Sequence, residues 1–217
     1  MSDFAARRTM MVDTQVRPSD VTKYPIIAAM LLIERENYVP DTKKEAAYVG
    51  DNLDVGHGRT MLAPRSFAKL LDALSIQPGE TVLDIGCGLG YSSAVLAQLA
   101  ATVVALESVA ELADAARHNL AGAGLTNVSV HQGTLAMGHA ASGPYDVILV
   151  EGGAEHVAPE LIAQLAEGGR LGVVMMQGAL GIVKIGLKSQ GKVSWRFAFN
   201  ATAPILPGFA AERAFAL

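Results

Sequence analysis

Apolar positions change their spacing along this chain, and the changes predict its elements. Tyr24–Ile33 is almost wholly apolar and predicts a helix. Polar and turn-forming residues dominate from Asn37 to Pro64, which predicts loops. Helical spacing returns over Arg65–Leu74 and is stopped by Gln77-Pro-Gly79. Beyond residue 76 short apolar runs alternate with helical segments. Strands are expected at Thr81–Ile85, Thr102–Glu107, Val128–His131, Tyr145–Val150 and Arg170–Met176. Helices are expected at Ser92–Leu99, Ala110–Leu120 and Pro159–Leu165. Such alternation predicts an α/β fold, a doubly wound, mostly parallel sheet covered on both faces. Ile182–Lys188 and Val193–Asn200 then flank Gln190-Gly191, the signal of an antiparallel hairpin at one edge. With right-handed crossovers, a ligand belongs at the carboxyl ends of the strands that start at Thr81 and Thr102.

The turn after the first of these strands carries the chemistry. Thr81-Val-Leu-Asp-Ile-Gly-Cys-Gly-Leu-Gly-Tyr91 runs from a buried strand into three alternating glycines, which let backbone approach a ligand closely. A dinucleotide fingerprint needs glycine or alanine where this chain has Tyr91. Asp84 would repel a diphosphate, and it suits a cationic ligand. The next strand ends in Glu107, about 20 residues on, where doubly wound sheets place an acid that accepts from ribose hydroxyls. The D-x-G-x-G-x-G pattern resembles motif I of the S-adenosylmethionine (SAM) methyltransferases, whose ligand carries an ammonium and a sulfonium.

Composition narrows the setting. At 217 residues, 51% hydrophobic and 18% charged, the chain has enough for one α/β unit with a real core and little disorder. A net charge of −4 argues against nucleic acid as the main partner, since phosphate contacts need a basic face. Cys87 is the single cysteine, so no internal disulfide is possible and a reducing compartment is expected. No apolar run approaches the roughly 18 residues of a membrane span, and the N-terminal residues have no signal-peptide pattern, so the expectation is a soluble, cytoplasmic protein. No histidine has metal-ligand spacing, and no metal site is assigned.

A narrower resemblance joins the two parts of the chain. Ala28-Ala-Met-Leu-Leu-Ile-Glu-Arg-Glu-Asn-Tyr-Val-Pro40 resembles the "AM…xRExFVP" signature of the protein-L-isoaspartate O-methyltransferases. Ala47-Tyr48, Val55-Gly-His-Gly-Arg-Thr60 and Pro64 resemble that family's "AY…IGxGQTISQP" segment. Asn127–Gly133, Pro144–Val150 and Leu165–Leu171 resemble its later strand motifs. The resemblance runs from Val12 onward. It implies methylation of the α-carboxylate of isoaspartyl residues in damaged proteins, with SAM as cofactor, by a protein that is commonly a monomer. It also implies that residues 1–76 supply a substrate-side wall to a SAM-binding unit at 77–217. Asp84, Gly86, Cys87, Gly88, Gly90, Glu107, Ser108, Gly133 and Thr134 would hold SAM. His57, Gly58, Thr60, Met61 and Leu62 would face the peptide, with Thr60, Leu62 and Glu151 at the transfer centre.

Three departures from the family pattern bear on the transfer chemistry. Leu62 stands where the family has a serine, Thr134 where it has an acid, and Glu151 where it has a small neutral residue. A carboxylate acceptor is already ionised at neutral pH, so no base is required and a lost hydroxyl costs orientation. That loss is worth about 1.5–3 kcal/mol, or roughly ten- to a hundredfold in rate. Two alternatives stay open. Glu151 could act as general base for a hydroxyl or amine acceptor, small molecules included, with His57 and His156 as further candidates. Or the protein binds SAM without repair activity. The segment after the fourth strand, Val150-Glu-Gly-Gly-Ala154, lacks the pattern that amide and adenine methyltransferases use.

Overall fold

A computed structural model describes residues 3–211. It opens with α1 (Phe4–Met11), which Asp3 caps by accepting from the Ala6 amide at 2.9 Å. α2 (Tyr24–Leu32) begins with proline in its first turn. A small antiparallel pair follows, β1 (Leu53–Gly56) and β2 (Arg59–Met61), turning at His57-Gly58 with φ of 54° and 71°. α3 (Pro64–Leu74) buries Phe67, Leu70, Leu71 and Leu74 on one face.

The doubly wound part is β3 (Thr81–Ile85), α4 (Tyr91–Leu96), β4 (Thr102–Glu107), α5 (Ala110–Gly122), β5 (Val128–Gln132), β6 (Tyr145–Ala154), α6 (Pro159–Ala163) and β7 (Leu165–Gln177). β8 (Leu180–Ser189) and β9 (Lys192–Asn200) close the sheet. Its order is β5-β4-β3-β6-β7-β8-β9, parallel through β7 and antiparallel beyond. The predicted fold class is the observed one. Gln190 and Gly191 both have positive φ, 53° and 72°, the backbone that a two-residue hairpin turn demands.

Side chains alternate between two covers. Val82, Val103, Val147 and Leu149 pack with Phe67, Leu71, Tyr91 and the N-terminal helices. Leu83, Ile85, Ile148 and Val150 pack with Leu161, Leu206 and Phe209 on the other face. Burial on both faces explains why Val147–Val150 is a continuous apolar run.

Several features differ from the sequence expectation. α6 stops at Ala163, and β7 starts at Leu165, inside the expected helix Pro159–Leu165 and ahead of the expected Arg170. α1 and the β1–β2 pair fall where no regular element was expected. α4 ends at Leu96, three residues early. β6 runs on through Glu151-Gly-Gly-Ala154, because past a bulge Gly153 and Ala154 still pair with Val174 and Met175 of β7, and residues 203–206 lie along the other side: the Gly153 amide donates to the Pro204 carbonyl at 2.7 Å and the Leu206 amide donates to the Gly153 carbonyl at 2.9 Å. A side chain at Gly153 would meet the Ala203 carbonyl at 2.5 Å, so only glycine admits this pairing. Among the described residues no helix is long and apolar enough to cross a membrane, and no group of three His, Cys, Asp or Glu is placed to hold a metal.

Candidate active site

Strand order reverses between β3 and β6, because β4 and β5 lie to one side of β3 and β6 and β7 to the other. The crevice beyond the strand ends at such a switch point is where these sheets bind ligands. Asp84 lies near the end of β3, and Glu151 extends β6 on the same face, two residues past its register partner Leu149.

Asp84 is fully buried. The hydroxyls of Ser92 and Ser93, at the start of α4, donate to its Oδ2 at 2.7 and 2.5 Å. Its Oδ1 has no partner among the described residues. Burial pushes the carboxyl up to about 6; the two serines oppose the rise and the charge of Glu107 adds to it. A buried acid with one unmet acceptor is a receptor for a cation. A bound ammonium needs the ionised form, so affinity for SAM is expected to fall about tenfold per pH unit below about 6. Calorimetry across pH 5–8 checks this; a flat profile would remove Asp84 from the cofactor site.

The glycine turn bends at Gly86, Gly88 and Gly90, all with positive φ. A Cβ on Gly90 would also press on Leu120 at 3.3 Å, so this glycine seats α4 against α5. Cys87 is buried within the turn, and burial pushes its thiol well up, which makes it inert.

Glu107, at the end of β4, is fully buried. Its Oε1 accepts from the backbone amides of Ser108 and Val109 at 2.6 and 3.0 Å, and its Oε2 accepts from Gly88 at 3.1 Å. Arg59 of β2 adds a fork, Nη2 to Oε1 at 2.8 Å and Nε to Oε2 at 3.0 Å, and reaches Ser108 Oγ at 2.7 Å. Sequence reasoning missed Arg59. The one available signal was that it replaces the glutamine of the family's "GQT" phrase.

Thr60, Met61 and Leu62 continue from Arg59 along the wall of a small cavity of about 20 Å³, which Tyr38, Cys87, Tyr91 and Glu151 also line. That volume holds a single water molecule. Glu151 is buried and its Oε1 is unpartnered among the described residues. Burial first, then the charge of Asp84, drives its carboxyl well above the usual range, against the opposing pull of Arg35. Arg35 is itself buried behind this wall, donating to the carbonyls of Ala47 and Leu62 at 2.7 and 2.8 Å and lying 4.6 Å from the Tyr91 ring centroid. It ties this wall to the N-terminal region.

Other sequence-predicted positions lie elsewhere. His57 and Gly58 are exposed at the hairpin tip, and His57 borders an open groove of about 880 Å³ together with Ile33, Asn37, Leu89 and His118. Gly133 donates its amide to the Glu107 carbonyl at 3.0 Å, which sets it and the exposed Thr134 beside the end of β4. His156 is exposed. The sequence gives Leu206, in the segment Ala203–Phe209, no residue-level role; it packs on Gly86 and Gly152 and roofs the turn from the far side.

The unmet oxygen of Asp84 and the glycine backbone fit the amino-acid half of SAM. At the nucleoside end, Arg59 occupies Glu107.

The comparisons with known proteins agree on one group. The family model described as protein-L-isoaspartate(D-aspartate) O-methyltransferase matches residues 7–198. Protein-L-isoaspartate O-methyltransferase 1 of Rhodopseudomonas palustris (strain HaA2) is 42% identical over 178 residues, 82% of this chain and 72% of that one. The protein-L-isoaspartate O-methyltransferase of Koribacter versatilis is 40% identical, over 79% of this chain and 77% of its own length. A solved protein-L-isoaspartate O-methyltransferase superposes with a TM-score of 0.81 at 25% identity, covering 93% of this chain and 66% of that one. A Plasmodium falciparum structure, described as a complex of a protein of the same name with S-adenosyl-L-homocysteine, superposes at 0.78 and 20% identity, which speaks for the fold alone.

Proposed function

The chain belongs to the protein-L-isoaspartate O-methyltransferase family, a family of SAM-dependent enzymes, and from that membership we propose that it methylates the α-carboxylate of isoaspartyl residues in damaged proteins. The observation that carries the reading is the unmet, buried Asp84 Oδ1 at the switch point, beside a wall built from Thr60, Met61 and Leu62. SAM, when bound, supplies a methyl group already activated by its sulfonium. Asp84 takes the ligand's ammonium, and the glycine turn brings backbone against the ligand. The acceptor carboxylate needs no base, only placement in line with the methyl. Leu62 contributes shape without a hydroxyl. Glu151 lines the same cavity, where burial raises its carboxyl well above the usual range and so favours the neutral form, the one that does not repel an incoming carboxylate. The single, buried Cys87 suits a cytoplasmic setting.

Transfer of labelled methyl from SAM to an isoaspartyl peptide, against the matching aspartyl peptide, tests the proposal. Base-labile label on the isoaspartyl peptide alone is expected, and its absence from a protein that binds SAM would refute the substrate. Leu62→Ser restores a hydroxyl at the wall and is expected to raise turnover about tenfold or more; unchanged turnover would mean position 62 does not face the acceptor.

One observation favours a second reading. An unpartnered acid in the cavity suits a hydroxyl or amine acceptor if the open cleft admits water and lets Glu151 ionise. Glu151→Gln separates the two, because it keeps a hydrogen-bond donor and removes the base. Isoaspartyl transfer should survive this change, and transfer to a hydroxyl or amine should not.

A further inference from the structure

Glu107 is the acid that a nucleoside would need, and Arg59 has it. Of the donors that reach its two oxygens, the amides of Gly88, Ser108 and Val109 belong to the turn and to the strand end, local backbone that does not depend on β2. The guanidinium comes from another element, 48 residues earlier in the chain. It approaches as a two-toothed fork, the strong geometry for a carboxylate. The side chains are 2% and 0% exposed, so neither water nor a ribose hydroxyl reaches the carboxylate past the arginine. The cavity beside it has room for one water molecule.

The arginine can leave without undoing the core. Its strand has three residues, Arg59–Met61, paired with only one neighbour and turning at an exposed tip. Glu107 would keep its three backbone donors, so it stays satisfied as an ion and ready for a ribose.

We propose that Arg59 is a latch on the nucleoside half of the cleft: it occupies Glu107 until SAM displaces it, and so sets the affinity of this chain for its cofactor. The latch rests on the SAM reading given above. A protein whose competent state is a minority binds with its dissociation constant divided by that fraction. If the open state is one molecule in ten or fewer, freeing Glu107 tightens binding about tenfold or more.

The test is calorimetric binding of SAM and, separately, of S-adenosylhomocysteine to the full chain and to Arg59→Gln and Arg59→Lys. Glutamine has neither the charge nor the fork; lysine keeps the charge and loses the fork. Arg59→Gln is expected to bind both ligands about tenfold or more tightly, by the same factor, with Arg59→Lys in between. S-adenosylhomocysteine decides the cause, because its sulfur is neutral. A gain for SAM alone would mean that Arg59 merely repels the sulfonium, and the latch falls. Unchanged or weaker binding of both ligands also overturns it. Should the glutamine variant fail to fold by circular dichroism, the lysine variant carries the same comparison. Failures of the latch and of the proposed function separate cleanly. Tighter binding without methyl transfer to isoaspartyl peptide keeps the latch and refutes the substrate. No binding of either ligand to any folded variant refutes the cofactor reading and the latch with it.

Discussion

Asp84→Asn, made together with Arg59→Gln so that the cleft starts open, is expected to weaken SAM binding by about ten- to a hundredfold and to raise the melting temperature of the unliganded protein. The two effects have one origin. Burial holds the Asp84 carboxyl near 6, above its ordinary 3.8, so the folded protein binds this proton more tightly than the unfolded chain does. Its contribution to stability is therefore present below the unfolded value and is lost as pH rises through about 6. At neutral pH the buried charge works against the fold, and asparagine removes it while leaving an oxygen for Ser92 and Ser93. The ammonium of the cofactor loses its counter-charge in the same step. Paired melting curves at pH 5 and pH 8 check the first half: the gain over Arg59→Gln alone should appear at pH 8 and shrink at pH 5. A gain that is equal at both would mean that Asp84 is not the titrating group. Equal SAM affinity in the two proteins would remove Asp84 from the site.

Glu107→Ala is expected to be the most damaging single change to the fold near the cleft. It strands the buried Arg59 guanidinium with only Ser108 Oγ, and it leaves the amides of Gly88, Ser108 and Val109 without their acceptor. Removing one partner of a buried ion pair costs about 3–5 kcal/mol. For a protein of this size that lowers the melting temperature by roughly 10 °C. Arg59→Gln should cost far less, because Glu107 retains its three backbone donors. Scanning calorimetry of both variants reads the asymmetry directly. Equal losses would show that the amides alone do not satisfy the carboxylate. Pairing Glu107→Ala with Arg59→Met should recover part of the loss, since the stranded charge is then gone.

The parallel sheet was legible because β3, β4 and β6 are buried on both faces, which forces apolar runs that no other element explains. α1 was not legible. Its segment, Phe4-Ala-Ala-Arg-Arg-Thr-Met-Met11, is mixed in polarity, and it buries mainly Arg8 and Met11. The β1–β2 pair was hidden for a related reason. Leu53–Met61 is dense in glycine and polar residues, the composition of a loop, and only the pairing turns it into strands. The site divides in the same way. Asp84, Glu107 and the three glycines could be read because they are local to strand ends and spaced by the backbone itself. Arg59 gave no local signal: an arginine between Gly58 and Thr60 looks like surface, and its burial is decided by a carboxylate 48 residues away. The depth of Glu151 could not be read, because the strand was expected to end at Val150. The strand continues, and the carboxyl is carried inside.

That continuation of β6 has a bearing on how the protein is made. Residues 203–209 pair with Gly153 and Glu155, set Leu206 on Gly86 and bury Phe209. They follow β9, the last strand among the described residues, and a ribosome delivers them after it, at about 5–20 residues each second. The roof over the glycine turn is thus the last part of the described fold to be synthesised, and completing the ligand turn depends on a short segment outside the sheet's main ladder.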